Sequence, residues 1–268
     1  MSATTAAGVR PEPAALLVLA RAVSAEWTRT WTVRSSWAFV AATAAVVLLV
    51  STVGGFDLRT GPRPDGLTAW DVGRLGGALG MFPLVAFALV LATADHARGG
   101  IVPTLQWTPR RGLLLAARAA TIAVTVALVG TALVEVGSLV GLVLVPDLGL
   151  PGAPGAEVVG TVAYVYGSLA LLAVGLGLAT RSTPGGLSLL VALLFVVPVL
   201  LPEIVRTTWA ADVARLVPGT GALDLMFRRG SETAAAAGGD GESFLVLGCW
   251  AVGALVLGGA RLLRSDAG

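Results

Sequence analysis

The chain has 268 residues, 56% of them hydrophobic and only 13% charged, with a formal net charge of +2. A soluble domain carries roughly 25% charged residues, so this chain has too little polar surface to face water on all sides. Its mean hydropathy of +0.85 makes lipid the natural solvent for most of it. All 18 basic residues are Arg. Without Lys there is no conventional P-loop nucleotide site, which needs a Lys at the phosphates. The small, scattered positive charge also argues against a nucleic-acid partner. A single Cys, Cys249, and a single His, His96, allow no internal disulfide and no zinc cluster.

From the N-terminus, the apolar piece 14–20 is short, follows Glu12 and is closed by Arg21 without a small-residue cleavage pattern, so it is not read as a signal peptide. Residues 23–36 predict a helix. Trp27 and Trp31 share a face with Val23, while Glu26, Arg29 and Arg34 fall mostly elsewhere. That pattern suits a helix lying at the membrane surface, with Trp at headgroup depth and Arg facing lipid phosphates. An ordinary charged run-in to the first span fits the same residues.

Six apolar runs then approach the roughly 20 residues a bilayer core requires. They are 37–54, 72–94, 119–145 (stopped by Pro146), 157–180, 186–201 and 243–263. Residues 56–71 read as a polar loop, and Gly76 and Gly80 give the second span a small-xxx-small spacing that permits close helix approach. The short connection 181–185 makes the fourth and fifth spans antiparallel neighbours. Orientation follows from Arg near span ends. Arg34, Arg98, Arg110, Arg111, Arg118, Arg181, Arg261 and Arg264 share one side, which the positive-inside rule places in the cytoplasm. The expected topology is N-in and C-in, with Arg181 and Arg261 as inner-interface anchors. Residues 202–242 form a long extracellular loop whose first half spaces Ile204, Val205, Trp209, Val213 and Leu216 as one or two short amphipathic helices, broken at Pro218-Gly219.

No catalytic set emerges: there is no HExxH, no GxSxG and no Rossmann glycine pattern. His96 beside Asp95 reads as a solvated loop histidine. Glu135 is the one acid near a span centre, so it should face the bundle interior, pair or be neutral. It is read either as a contact for a cationic substrate or proton, or as a structural hydrogen-bonding group near Thr131 and Ser138.

The segment 92–119 has features that agree with one another. Asp95 and Arg98 close the second span, Gly99-Gly100 allow a sharp turn, and 99–108 predict a short helix displaying Ile101, Leu105 and Trp107. Pro109 ends it, and Arg110-Arg111 start the next helix. Physically, this is either a plug for a groove on a soluble partner or an interfacial helix resting on headgroups.

The segment resembles the cytoplasmic loop of ABC-2-type permeases, the membrane subunits of ABC exporters. The likeness lies in Asp95-His96, Gly99-Gly100-Ile101, Thr104-Leu105, Pro109-Arg110-Arg111 and Arg118. The stretch Ala25-Glu26-Trp27-Thr28 with Val33-Arg34-Ser35-Ser36-Trp37 looks like the family's N-terminal Glu-Trp motif, and Trp209 with Leu216-Val217-Pro218-Gly219 resembles its outer helices. Ala97 stands where the family usually has Arg, and Thr30-Trp31 replaces its usual Leu-Arg. The resemblance implies one all-α transmembrane domain over 1–268. It also implies a coupling helix at 99–108 that touches a partner ATPase through Asp95, Arg98, Ile101, Thr104, Leu105, Trp107, Pro109, Arg110 and Arg111. The chain would then be no enzyme and hold no cofactor, with ATP and Mg bound by the partner. It would pair with itself or another permease in a bacterial cytoplasmic membrane and export a hydrophobic or amphipathic substrate. The expected alternatives are a non-transporting anchor or immunity protein, and a carrier or enzyme centred on Glu135.

Overall fold

The computed structural model describes residues 15–97, 111–205, 207–227 and 239–264. Those residues form helices and short connections only. In chain order these are α1 (Ala15–Thr32), α2 (Arg34–Thr60), α3 (Ala69–Ala97), α4 (Arg111–Leu144), a 3-10 turn (Pro146–Leu148), α5 (Gly152–Thr180), α6 (Thr183–Val191), a π-helical stretch (Ala192–Leu200), α7 (Leu201–Val205), α8 (Thr208–Arg215), α9 (Pro218–Phe227) and α10 (Gly239–Arg264). Six segments are long and apolar enough to cross a membrane: Arg34–Thr60, Ala69–Ala94, Gly112–Leu144, Gly155–Thr180, Thr183–Val205 and Gly241–Arg261.

The helices outrun the expected spans because polar flanks continue the backbone ladder where apolar pattern alone would stop. The loop expected at 56–71 shrinks to 61–68: α2 runs on through Asp57 to Thr60, and α3 starts at Ala69. That start is fixed by Asp71, whose Oδ2 accepts from the Thr68 amide at 2.9 Å and its hydroxyl at 3.0 Å, while Oδ1 pairs with Arg74 at 2.7 Å. An acid in the first turn also suits the positive end of the helix dipole. The fifth segment begins three residues before the expected 186, since Ser182 caps α6 by accepting the Gly185 amide and Pro184 sits in the first turn. Near its far end the ladder widens into nine π-helical residues containing Pro198, the residue that cannot donate to a regular helix.

Two helices form the centre. In the most apolar stretches of the second and fourth segments 61% and 72% of residues are buried, against 12–33% in the other four. So α3 and α5 are enclosed, and α2, α4, α6 and α10 ring them. Close approach comes from small residues. On α3, Gly76 and Gly80 face Val47, Ser51 and Thr43 of α2, whereas Gly73 and Gly77 face Val134 and Ser138 of α4. A Cβ at Gly76 would stand 2.8 Å from the Val47 carbonyl oxygen, so only glycine lets the two backbones meet. Contact of this kind, rather than hydrophobic expulsion from water, holds helices together in lipid.

The two tyrosines supply polar fixation within the apolar core. Tyr166 on α5 is fully buried and its hydroxyl donates to the Gly77 carbonyl of α3 at 2.9 Å. Tyr164, two residues earlier, donates to the Phe244 carbonyl of α10 at 2.6 Å.

At the end of the bundle away from α1, the short helices α8 and α9 pack beneath α10. The chain breaks at Leu216–Val217, and Pro218 opens α9 rather than following the break, in keeping with the preference of Pro for a first helical turn. Trp250 of α10 donates from Nε1 to the Leu216 carbonyl at 2.7 Å, which satisfies an end group of α8. Between the far ends of α2 and α3 and the end of α9 lies an open cavity of about 340 Å³.

Candidate functional site

The opposite end of the bundle gathers the N-terminal arm α1, the start of α4, the end of α3, the α5–α6 turn and the end of α10. Its organising contact joins residues 92 positions apart. Arg118, one of the few buried charged residues, reaches Glu26 of α1 from both Nε (3.3 Å) and Nη2 (3.0 Å). Arg29 adds a second, longer approach at 3.9 Å. With side chains only 8% and 14% exposed, Arg118 and Glu26 are shielded enough for their attraction to count. A surface pair of the same geometry is worth little.

This pairing revises the expected facing of α1. The helix starts at Ala15 and ends at Thr32, and Arg34 belongs to the first turn of α2. Its inward face is Ala22, Val23, Glu26, Arg29 and Thr30, at helical spacing, with Thr30 buried and bonded to the Glu26 carbonyl. Trp27 is exposed. Glu26 and Arg29 thus lie on the face with Val23, not apart from it: the Arg118 guanidinium draws Glu26 inward, and Arg29 sits beside Glu26.

The corner between α1 and α2 is aromatic. Trp27 and Trp31 meet edge to face at 5.9 Å, and Trp31 and Trp37 lie 5.2 Å apart. The Trp37 Nε1 donates to the Trp31 carbonyl at 3.1 Å, which closes the bend where Val33 leaves helical geometry. Nearby, the Thr93 and Thr183 hydroxyls bond at 2.7 Å and tie α3 to α6. Arg181 adopts the left-handed conformation that ends α5 and donates to the Arg261 carbonyl, while Arg261 donates to the Ala179 carbonyl. Both arginines satisfy helix C-terminal carbonyls and complement the negative dipole end.

Of the expected partner-contact residues, Arg98, Ile101, Thr104, Leu105, Trp107, Pro109 and Arg110 lie outside the described residues. Asp95 and His96 lie in the last turn of α3, not in a loop, and Arg111 begins α4.

Glu135 departs from its expected place. It is exposed on α4, on the outer face that also carries Leu128 and Leu139. The inward face of α4 is taken by Gly130, Val134, Gly137 and Ser138, which sit against Tyr166, Gly73 and Ser51, and Glu135 lies a third of a turn away. Neither expected partner holds it: the Ser138 hydroxyl bonds the Val134 carbonyl, and the Thr131 hydroxyl is buried without a partner. Among the described residues no three His, Cys, Asp or Glu gather.

The contact between Glu26 and Arg118 escaped sequence reasoning. Each is legible alone, as an acid in an Arg-bearing helix and an Arg at the entry to a span, but nothing local links them. Fold and site together define a multi-pass, all-helical membrane protein whose N-terminal arm is pinned to its third span. No model of a known protein family matches the chain, and a search of curated proteins finds no match.

Proposed function

We propose that the chain is the permease subunit of an ABC exporter of the ABC-2 type, moving a hydrophobic or amphipathic substrate across a bacterial cytoplasmic membrane. A separate ATPase subunit hydrolyses ATP with Mg, and two permease subunits, identical or not, enclose the pathway. The observation that supports this most is the ion pair between Glu26 and Arg118. Both belong to motifs through which the sequence resembles that family, one in the N-terminal Glu-Trp motif and one at the head of the third span. Their contact at 3.0 Å joins the N-terminal arm to the root of the segment 98–110. In this reading the cytoplasmic side is the α1 end. A push on residues 99–108 by the ATPase passes through the start of α4 to Arg118, and through Glu26 to α1, so the spans tilt as a unit between inward-open and outward-open states. The outward position of Glu135 favours this over a carrier built around an interior acid.

The test is association and transport. The protein should copurify with an ABC ATPase and lose it on Leu105→Asp or Arg110→Glu. Retention of the ATPase by both variants would refute the coupling role of 99–108. Stable association with no substrate movement in ATP-loaded vesicles would instead identify an anchor or immunity protein.

A further inference from the structure

The cavity between α2, α3 and α9 has a chemistry that the permease reading does not require. Its volume, about 340 Å³, lies within the range of small-molecule sites, roughly 300–1,000 Å³. The wall is carbon from Leu58, Leu67, Leu75, Met226 and Phe227, with Pro62 and Pro64 in the connecting loop. The prolines have no N–H, so that part of the wall offers an anion no backbone donor. Two carboxylates border the cavity, Asp57 and Asp71, and they differ. Asp71 is spoken for: one oxygen holds Arg74, the other the Thr68 amide and hydroxyl. Asp57 is exposed and pairs with none of the described residues.

Asp57 is also misplaced by the ordinary rules of helix electrostatics. It stands in the last turn of α2, which ends at Thr60, where the dipole is negative and an acid is disfavoured. Arg59, two residues on, points elsewhere on the helix. Arg63 is turned to the Leu58 carbonyl at 2.7 Å and to Asp147 at 3.2 Å. The cavity therefore combines an apolar wall, an aromatic ring from Phe227 whose π face attracts cations, and one negative charge that no described residue pairs, reinforced by a helix end.

We infer that this cavity binds a lipophilic organic cation, a molecule with one ammonium or phosphonium charge and a compact apolar body. The charge sits against Asp57, and the body replaces water along Leu58, Leu67, Leu75 and Met226. Such a cation comes either free or as the ammonium of a phosphatidylethanolamine headgroup. Binding here stands apart from the transport reading, since it needs neither the ATPase nor the 99–108 segment.

The experiment is equilibrium binding of tritiated tetraphenylphosphonium to the full chain in nanodiscs of phosphatidylglycerol, with empty discs subtracted. Saturable binding is expected. Asp57→Asn should weaken it about tenfold, the scale on which loss of one charge contact is usually felt. Asp57→Glu, which keeps the charge, should stay within about threefold of the parent, and Leu75→Trp, which fills the cavity, should abolish it. The anion tetraphenylborate, of the same shape, should not compete. Discs containing phosphatidylethanolamine distinguish the sources: displacement of the probe assigns the site to the lipid ammonium, and unchanged binding assigns it to free cations. The proposal is overturned if binding is only the partition seen in empty discs. It is equally overturned if Asp57→Asn and Leu75→Trp bind like the parent, or if tetraphenylborate competes equally. Variants are compared after size-exclusion confirms a monodisperse peak, and Asp57→Glu guards against a fold defect at that position.

Discussion

If the contact between Glu26 and Arg118 pins α1 to the bundle, neutralising both partners should cost less than the sum of neutralising each alone. The guanidinium and carboxylate lie 3.0 Å apart at 8% and 14% side-chain exposure. At an effective dielectric of ~20, two unit charges near 4 Å attract by about 4 kcal/mol. Glu26→Gln removes that attraction from a buried guanidinium, a loss on the order of 3 kcal/mol. For a chain of this size each kcal/mol moves the melting temperature by roughly 2–4 °C, so a drop of about 6–12 °C is expected for Glu26→Gln and a similar one for Arg118→Gln. The double variant should fall short of the sum, with a coupling energy of about 2 kcal/mol. Exchanging the two as Glu26→Arg with Arg118→Glu should recover part of the loss. Thermal unfolding in detergent, followed by intrinsic fluorescence, measures all four proteins, and protease sensitivity of α1 reports its release. Additivity within about 0.5 kcal/mol would refute the pinning role, because independent sites add and paired ones do not.

Gly76→Leu should abolish the folded monodisperse peak, because its side chain would drive into the Val47 carbonyl. Gly253→Leu, at an exposed position of α10 with nothing within 4 Å, should leave the elution profile and melting temperature unchanged. Glu135→Leu should keep the fold and raise insertion into the membrane, since an acid on a lipid-facing helix centre costs a few kcal/mol, about 2.5–3.5 on insertion scales; loss of the folded peak would show that the carboxylate has a structural partner. Trp250→Phe keeps the ring but loses the 2.7 Å bond to the Leu216 carbonyl. It should destabilise by about 1 kcal/mol, read as faster amide exchange across α8 and α9.

The parts of the fold that are legible in the sequence are those governed by a one-dimensional signal. Apolar runs long enough for a bilayer mark six segments, and the spacing of Gly76 and Gly80 points to a close helix face, which α2 fills. The spacing of Trp209 and Val213 falls on the short helix α8 beyond the fifth segment, whereas Ile204 and Val205, expected in the loop, end that segment. Boundaries were less legible, because the acid in Thr68-x-x-Asp71 and the cap at Ser182 extend helices past the end of the apolar run. Facing was least legible. Glu26, expected on a helix at the membrane surface, turns inward to Arg118, and Glu135, expected to face the interior, pair or be neutral, lies on the outer face of α4. Hydrophobic periodicity does not decide either case. The near-uniform Ala, Val and Leu of α4 leave no stripe to follow, and its inward face is chosen by Gly130, Gly137 and Ser138, small residues whose partners lie on other helices.

Both tyrosines of the chain stand two residues apart on the central helix and bond different neighbours, one the Gly77 carbonyl and the other the Phe244 carbonyl. Isotope labelling of tyrosine alone therefore gives a spectrum of two ring systems, one reporting the junction of α5 with α3 and the other its junction with α10. Any rearrangement that slides α10 while leaving the centre intact moves the Tyr164 resonance and spares that of Tyr166. The protein thus carries, without added labels, a two-channel gauge of which helices travel together.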